Sequence, residues 1–114
     1  MQYKNIVASF NHAGGIQIGA DVRIAGIKVG NIDTISLDTE TFQARVAMRI
    51  DNDVQLPQNA LFEIAIDGFI GKKYIRISLP TEKSPINTST VFTNTKDTET
   101  LEQLIGKAIY LIQN

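Results

Sequence analysis

The sequence is dominated by short segments in which apolar and polar side chains alternate. The period is clearest over residues 42–50, where one face carries Phe42, Ala44, Val46, Met48 and Ile50 and the other carries Arg45 and Arg49. The same two-residue period, which is typical of β-strands, recurs over residues 3–10, 22–25, 27–37, 60–66 and 73–79. Prolines fall between these segments, where a missing amide hydrogen costs no ladder hydrogen bond. We therefore predict that most of the chain is β-structure, with Phe42, Val46 and Met48 in the core and Arg45 and Arg49 facing outward.

The spacing of these strands favours a closed sheet. Short strands at nearly regular intervals, with turn residues between them, indicate a sandwich or a barrel. An open sheet would leave two hydrophobic edges unpaired, and closure removes them. Gly30 interrupts the alternation of residues 27–37, as expected for a bulge or bend at a barrel corner. We predict an all-β fold, a small barrel.

Only the C-terminal end has a helical period. Its apolar residues fall on one stripe, which consists of Leu101, Leu104, Ile105, Ala108, Ile109 and Ile112. Such a helix can fold onto its own barrel or bundle with copies of itself, and the stripe serves both uses equally. We predict a barrel domain at residues 1–95 and a helix at residues 96–114. Strand and helix patterns run almost to both ends, so we expect the chain to be cut from a longer protein.

Composition narrows the classes of function. The 114 residues suffice for one domain, and the formal net charge of −1 provides no basic field for nucleic acid. The absence of cysteine excludes disulfides, thiolate zinc sites and thiol nucleophiles. No stretch approaches the roughly 18 apolar residues of a membrane span.

Residues 67–72 form the most unusual local feature. They read Asp-Gly-Phe-Ile-Gly-Lys and connect two predicted strands, a position where turn-forming polar residues are usual. Leaving Phe69 and Ile70 in water would forgo about 1.5–3 kcal/mol of burial each. We therefore expect them to be covered, either by the end of their own barrel or by a partner subunit or an apolar ligand.

Three segments together resemble the MCE (mammalian cell entry) domain family. Residues 10–16 read Phe-Asn-His-Ala-Gly-Gly-Ile, residues 22–32 follow V-x-I-x-G-x-x-V-G-x-I, and Gly68-Phe69-Ile70-Gly71 precedes Lys73-Tyr74-Ile75. Residues 101–106 are similar to the helix that follows the domain in the MCE subunit of the Gram-negative lipid-asymmetry transporter. The resemblance covers nearly the whole chain. At the hairpin apex, Phe69-Ile70 stands where a leucine pair is expected, which changes the shape but not the apolar character.

The resemblance implies a small seven-stranded barrel and a role in lipid transport. Members of this kind form homohexameric rings that bind phospholipid and carry it between the inner and outer membranes. The implied lipid-binding and pore residues are Gly68, Phe69, Ile70 and Gly71, and the helical stripe would extend the channel. The implied partners are the permease and ATPase of an ABC transporter and a periplasmic lipid carrier protein. The domain would lie in the periplasm, anchored in the inner membrane by an N-terminal helix absent from this chain, with no cofactor.

Other classes of function have weaker support in the sequence. The single histidine, His12, lies beside Gly14 and Gly15 without a serine or acidic partner at a recognisable spacing, which disfavours an enzyme. Residues 51–53 begin like a calcium loop, but Leu56 and Phe62 replace its obligatory glycine and glutamate, so we predict a turn. A monomeric barrel that binds a small apolar ligand, and a docking module without transport, remain as alternatives.

Overall fold

The chain is all-β over the residues that the structure describes. The computed structural model describes residues 2–69, 71–87 and 90–96. The strands are β1 (Tyr3–Phe10), β2 (Asp21–Ile24), β3 (Ile27–Leu37), β4 (Ala44–Asp51), β5 (Leu61–Ile66), β6 (Lys73–Ser78), β7 (Val91–Phe92) and β8 (Thr95–Lys96). Strands β1 to β6 match the six predicted segments to within two residues. The predicted helical stripe lies outside the described residues.

All eight strands belong to one sheet in the order β7-β1-β4-β3-β2-β6-β5-β8. The outermost two strands, β7 and β8, are separated in sequence by only two residues, and they pair in parallel with β1 and β5 respectively. The same short segment therefore joins both ends of the sheet. In addition, Thr95 Oγ1 donates a hydrogen bond to the Ser9 carbonyl oxygen at 2.7 Å. The predicted barrel is confirmed, with eight strands because its closing segment is divided into two.

Buried and exposed side chains alternate along β4, and the buried ones form one side of the core. Val46, Met48 and Ile50 are fully buried, whereas Arg45 and Arg49 are exposed, as predicted. All buried side chains in the described part of the chain are hydrophobic. Within the described ranges no helix is long and apolar enough to cross a membrane.

The predicted inward position of Phe42 is wrong. Its side chain is 73% exposed, and its φ of 57° lies in the left-handed region. Phe42 belongs to the turn before β4, where its amide donates to the Asp38 carbonyl oxygen at 2.7 Å. Asp38 Oδ1 also accepts a hydrogen bond from the Glu40 amide at 2.9 Å. These local hydrogen bonds break the two-residue period just before the strand begins.

Gly30 allows two strands to approach closely. A Cβ atom at this position would lie 1.9 Å from the Arg49 carbonyl oxygen of β4, closer than any side chain tolerates. The pairing of β3 with β4 shifts register between Ile32 and Thr34, and that of β2 with β3 shifts between Val22 and Arg23. The bend predicted at Gly30 is thus accompanied by irregularities on both sides of β3, as barrel curvature requires.

Candidate functional site

Three connections lie at the same end of the barrel. Strands β1, β3 and β5 run in one direction, and β4, β2 and β6 run in the other. The connections that follow β1, β3 and β5 are therefore neighbours at one end. They comprise residues 11–20, 38–43 and 67–72. We call residues 67–72 the tip, and this end of the barrel the tip end.

Backbone hydrogen bonds define the shape of the tip. The Asp67 amide donates to the Lys72 carbonyl oxygen, and the Gly71 amide donates to the Asp67 carbonyl oxygen, both at 2.8 Å. The Phe69 amide donates to Asp67 Oδ1 at 3.2 Å. Gly71 has a φ of 73°, which glycine adopts without steric cost. Asp67 and Gly71 thus supply the turn geometry and leave the apex free for apolar residues.

Phe69 projects from this turn into solvent. Its side chain is 103% exposed, the highest value among the large hydrophobic side chains of the described residues. This exposure contradicts the alternative in which Phe69 is covered by the end of its own barrel. Ile70, its predicted partner, lies outside the described residues. Other exposed apolar side chains at the tip end are Ile18, Leu37, Phe42 and Ile66. Exposed apolar side chains that together form a patch commonly mark interaction surfaces.

Arg23 of β2 connects the base of the tip to the barrel. Its Nη2 and Nε lie 2.9 and 3.1 Å from Asp21 Oδ2, and its Nη1 lies 3.5 Å from Asp67 Oδ2. Its guanidinium carbon is 4.3 Å from the centre of the Tyr74 ring, a distance typical of cation–π contact. The hydrogen bond from Arg23 lowers the pKa of Asp21 below its ordinary value. Arg23 thereby contacts both strands of the hairpin near its base, through Asp67 after β5 and Tyr74 of β6.

Lys73 forms a second connection at the tip base. Its Nζ donates a hydrogen bond to the Gly14 carbonyl oxygen at 2.6 Å. At the adjacent Gly15, with a φ of 80°, a Cβ atom would come within 2.7 Å of the same Nζ. The connection after β1 therefore packs directly on the start of β6. Gly15 leaves the space that the end of the Lys73 side chain occupies.

An open groove of about 660 Å³ lies between the connection after β1 and the tip. It is lined by Gly15, Gln17, Ile18, Gly19, Ala20, Asp21, Arg23, Asp67, Gly71, Lys72, Lys73 and Tyr74. Its volume is within the range of roughly 300–1,000 Å³ that is usual for small-molecule sites. Of the predicted pore residues, the lining includes Gly71. The sequence analysis did not predict this groove.

Two other polar residues considered in the sequence analysis, His12 and Asp51, accept hydrogen bonds from amides two residues further along the chain. His12 is exposed, and its Nδ1 accepts a hydrogen bond from the Gly14 amide at 3.0 Å. Asp51 Oδ1 accepts one from the Asp53 amide at 2.9 Å, which confirms the predicted turn. No group of three or more acidic or histidine side chains among the described residues could hold a metal ion.

Comparison with known proteins identifies the family. The family model described as MlaD protein matches residues 2–80. The intermembrane phospholipid transport system binding protein MlaD of Haemophilus influenzae is 25% identical over 109 residues, which cover 92% of this chain and 65% of that protein. The protein of the same name from Escherichia coli K12 is 28% identical over 111 residues, covering 92% and 61%. The chain thus spans less than two thirds of the length of these relatives.

A solved structure shows the same fold. A chain of the Acinetobacter MlaFEDB complex in an ATP-bound conformation superimposes with a TM-score of 0.83 at 20% sequence identity, covering 93% of this chain and 81% of that chain. The family match includes strands β1 to β6, the tip and every residue that lines the groove. The chain belongs to the MlaD protein family.

Proposed function

We propose that this chain is the periplasmic, ring-forming subunit of an ABC transporter that moves phospholipid between the inner and outer membranes, and that it is not an enzyme. Family membership supports this proposal, as do relatives named as binding proteins of an intermembrane phospholipid transport system. The observation that carries it is the fully exposed Phe69 at the apex of a hydrogen-bonded tip. Such a side chain is unfavourable in water but suited to an apolar passage.

The ring explains what covers the tip. Copies of the chain arranged as a closed hexamer would bring their tips together around the axis, because rotation about that axis repeats one head-to-tail interface and places every tip at the same distance from it. Phe69 and Ile70 would then form the narrowest apolar part of the pore. Gly68 and Gly71 would flank it without side chains that narrow it further. Phospholipid acyl chains would pass between these apolar side chains.

The C-terminal stripe would prolong the passage. Strand β8 runs parallel to β5, so the chain is directed toward the tip end where the described residues end at Lys96. The barrel interior is already filled by its own side chains, the largest of which include Phe10, Phe62 and Met48. We therefore place Leu101, Leu104, Ile105, Ala108, Ile109 and Ile112 against copies of themselves around the axis. The same filled interior disfavours a monomeric barrel with a small apolar ligand inside.

The partners follow from the proposed transporter. They are the ABC permease and ATPase subunits in the inner membrane and a periplasmic carrier that takes up or delivers phospholipid. An N-terminal helix outside this chain would anchor the ring in the inner membrane. No cofactor is needed, because the ATPase subunit supplies the energy.

Deleting residues 101–114 is expected to weaken the ring more than the barrel. The apolar stripe would lose its contacts between subunits, while the hydrogen-bonded strands β1 to β8 remain intact. Light scattering should show a lower mass at equal concentration, and the melting temperature of the barrel should change little. Leu104→Ala with Ile105→Ala should act in the same direction but less strongly. A shortened chain that keeps the same mass and stability would show that this segment does not hold the ring together.

The function is tested by capturing lipid at the tip in cells. A photo-crosslinking amino acid at position 69 should trap phospholipid, identified by mass spectrometry of the purified adduct. The same amino acid at position 27 is the control, since Ile27 is 68% exposed and begins β3 at the opposite end of the barrel. Capture at both positions, or at neither, would contradict a lipid passage at the tip.

A further inference from the structure

We propose that the groove beside the tip binds the phosphate of a phospholipid headgroup through Lys72 and Lys73, and that it favours lipids with a net negative headgroup. This inference rests on the proposed function and adds to it a headgroup site outside the apolar pore. The shared chemistry is that of a phosphate ester anion. We assign the lipid headgroup as its source.

The charges that line the groove do not balance. Two carboxylates, Asp21 and Asp67, face three cationic side chains. Arg23 already pairs with both carboxylates, and Lys28 Nζ lies 3.4 Å from Asp21 Oδ1 as well. Neither Lys72 nor Lys73 forms an ion pair with a carboxylate of the described residues. Positive charge is therefore left in the groove for an external anion.

One of the two ammonium groups is fixed in position. Lys73 Nζ donates to the Gly14 carbonyl oxygen at 2.6 Å. An ammonium group has three donors, so two remain for the oxygens of a bound anion. A carbonyl oxygen orients the lysine without neutralising its charge. Lys72, the preceding residue, is exposed and lines the same groove, so it can add a second donor group.

The rest of the lining suits the glycerol end of a lipid. Gly15, Gly19 and Ala20 leave room for the headgroup, and Ile18 offers an apolar surface that is 67% exposed. Gly71 connects the groove to the tip, because it follows Phe69 by only two residues. A headgroup in the groove would therefore place its acyl chains near the apolar apex. The open form of the groove permits the chains to leave it in that direction.

Net charge should decide which headgroup is preferred. In phosphatidylcholine the quaternary ammonium offsets the phosphate charge, whereas phosphatidylglycerol keeps its full negative charge. Two lysine ammonium groups beside the bound phosphate should therefore favour the anionic lipid about tenfold over the zwitterionic lipid. Screening by salt should reduce this preference because the groove is open to solvent.

The test measures binding of short-chain lipids below their micelle concentration by isothermal titration calorimetry. The ligands are dihexanoyl phosphatidylglycerol, dihexanoyl phosphatidylcholine and inorganic phosphate. The single variant is Lys72→Gln, in which Lys73 keeps its hydrogen bond to the Gly14 carbonyl oxygen. The double variant is Lys72→Gln with Lys73→Gln. The matched control is Lys83→Gln with Lys96→Gln, which removes the same charge from exposed positions outside the groove.

We expect the unchanged chain to bind phosphatidylglycerol about tenfold more tightly than phosphatidylcholine. The double variant should lose that preference, the single variant should lose part of it, and the control should keep it. A double variant that retains the preference would overturn the headgroup site, as would phosphate binding as tight as that of phosphatidylglycerol. Equal affinity of the unchanged chain for both lipids would also overturn it while leaving the proposed function intact. If neither lipid binds, the proposed function fails together with the site.

Discussion

Replacing Met48 with aspartate is expected to leave the chain without a stable barrel. Met48 is fully buried in the middle of β4, where it pairs with Ile6 of β1 and Ile32 of β3. A carboxylate there would be surrounded by apolar side chains, with no buried polar partner in the described part of the chain. The cost should exceed about 4 kcal/mol, a large share of the roughly 5–15 kcal/mol that stabilises a domain. Circular dichroism and urea titration would show the loss of cooperative unfolding.

Arg45→Ala is the matched control on the opposite face of β4. The Arg45 side chain is 46% exposed, and its ion pair with Asp38 spans 4.0 Å. Exposed pairs of this kind contribute little, so the free energy of unfolding should fall by less than about 0.5 kcal/mol. A larger loss for Arg45→Ala than for Met48→Asp would mean that the two faces of β4 are inverted.

Replacing both Phe69 and Ile70 with asparagine is expected to abolish phospholipid transport while the barrel stays folded. Phe69 contributes nothing to the core, and the turn hydrogen bonds of Asp67 and Gly71 use backbone and carboxylate atoms that the change leaves in place. Two amide side chains would make the proposed passage polar and would oppose the transit of acyl chains. The readout is detergent sensitivity of the outer membrane in cells that depend on the variant.

Ile27→Asn provides the control for this double variant. It replaces another exposed apolar residue, at the opposite end of the barrel, so transport should continue. The melting temperature of each purified variant should remain within a few degrees of that of the unchanged chain. Full transport by the Phe69 and Ile70 double variant would contradict the assignment of the tip to the pore.

The strands of this barrel are predictable because burial enforces a two-residue period along each of them. Met48 and Arg45 show this, since their places follow from alternation alone. Phe42 shows where the argument stops. The turn around Asp38 gives Phe42 a left-handed backbone and separates it from the periodic strand. A pattern of apolar residues does not reveal the residue at which such a turn ends.

The tip and the groove also differ in whether the sequence alone predicts them. The tip is visible in the sequence because large apolar residues between glycines are anomalous at a hairpin apex. The groove depends on contacts between distant residues: Arg23 and Asp67 are 44 positions apart, and Gly14 and Lys73 are 59 apart. These contacts exist because β2 and β6 pair in parallel, which places the connection after β1 beside the tip. Local periodicity contains no information about that pairing.

The segment that closes the barrel also has a consequence for folding. The family match ends at residue 80, whereas β7 and β8 lie beyond it and are the last strands in the described chain. β7 pairs with β1 and β8 pairs with β5, so during synthesis the outer edges of β1 and β5 stay unpaired until residues 90–96 have been made. Unpaired edges recruit strands from other chains, and contacts between sequence-distant strands form slowly. By pairing with β1 and β5, these few residues therefore remove two edges at which the incomplete sheet could aggregate.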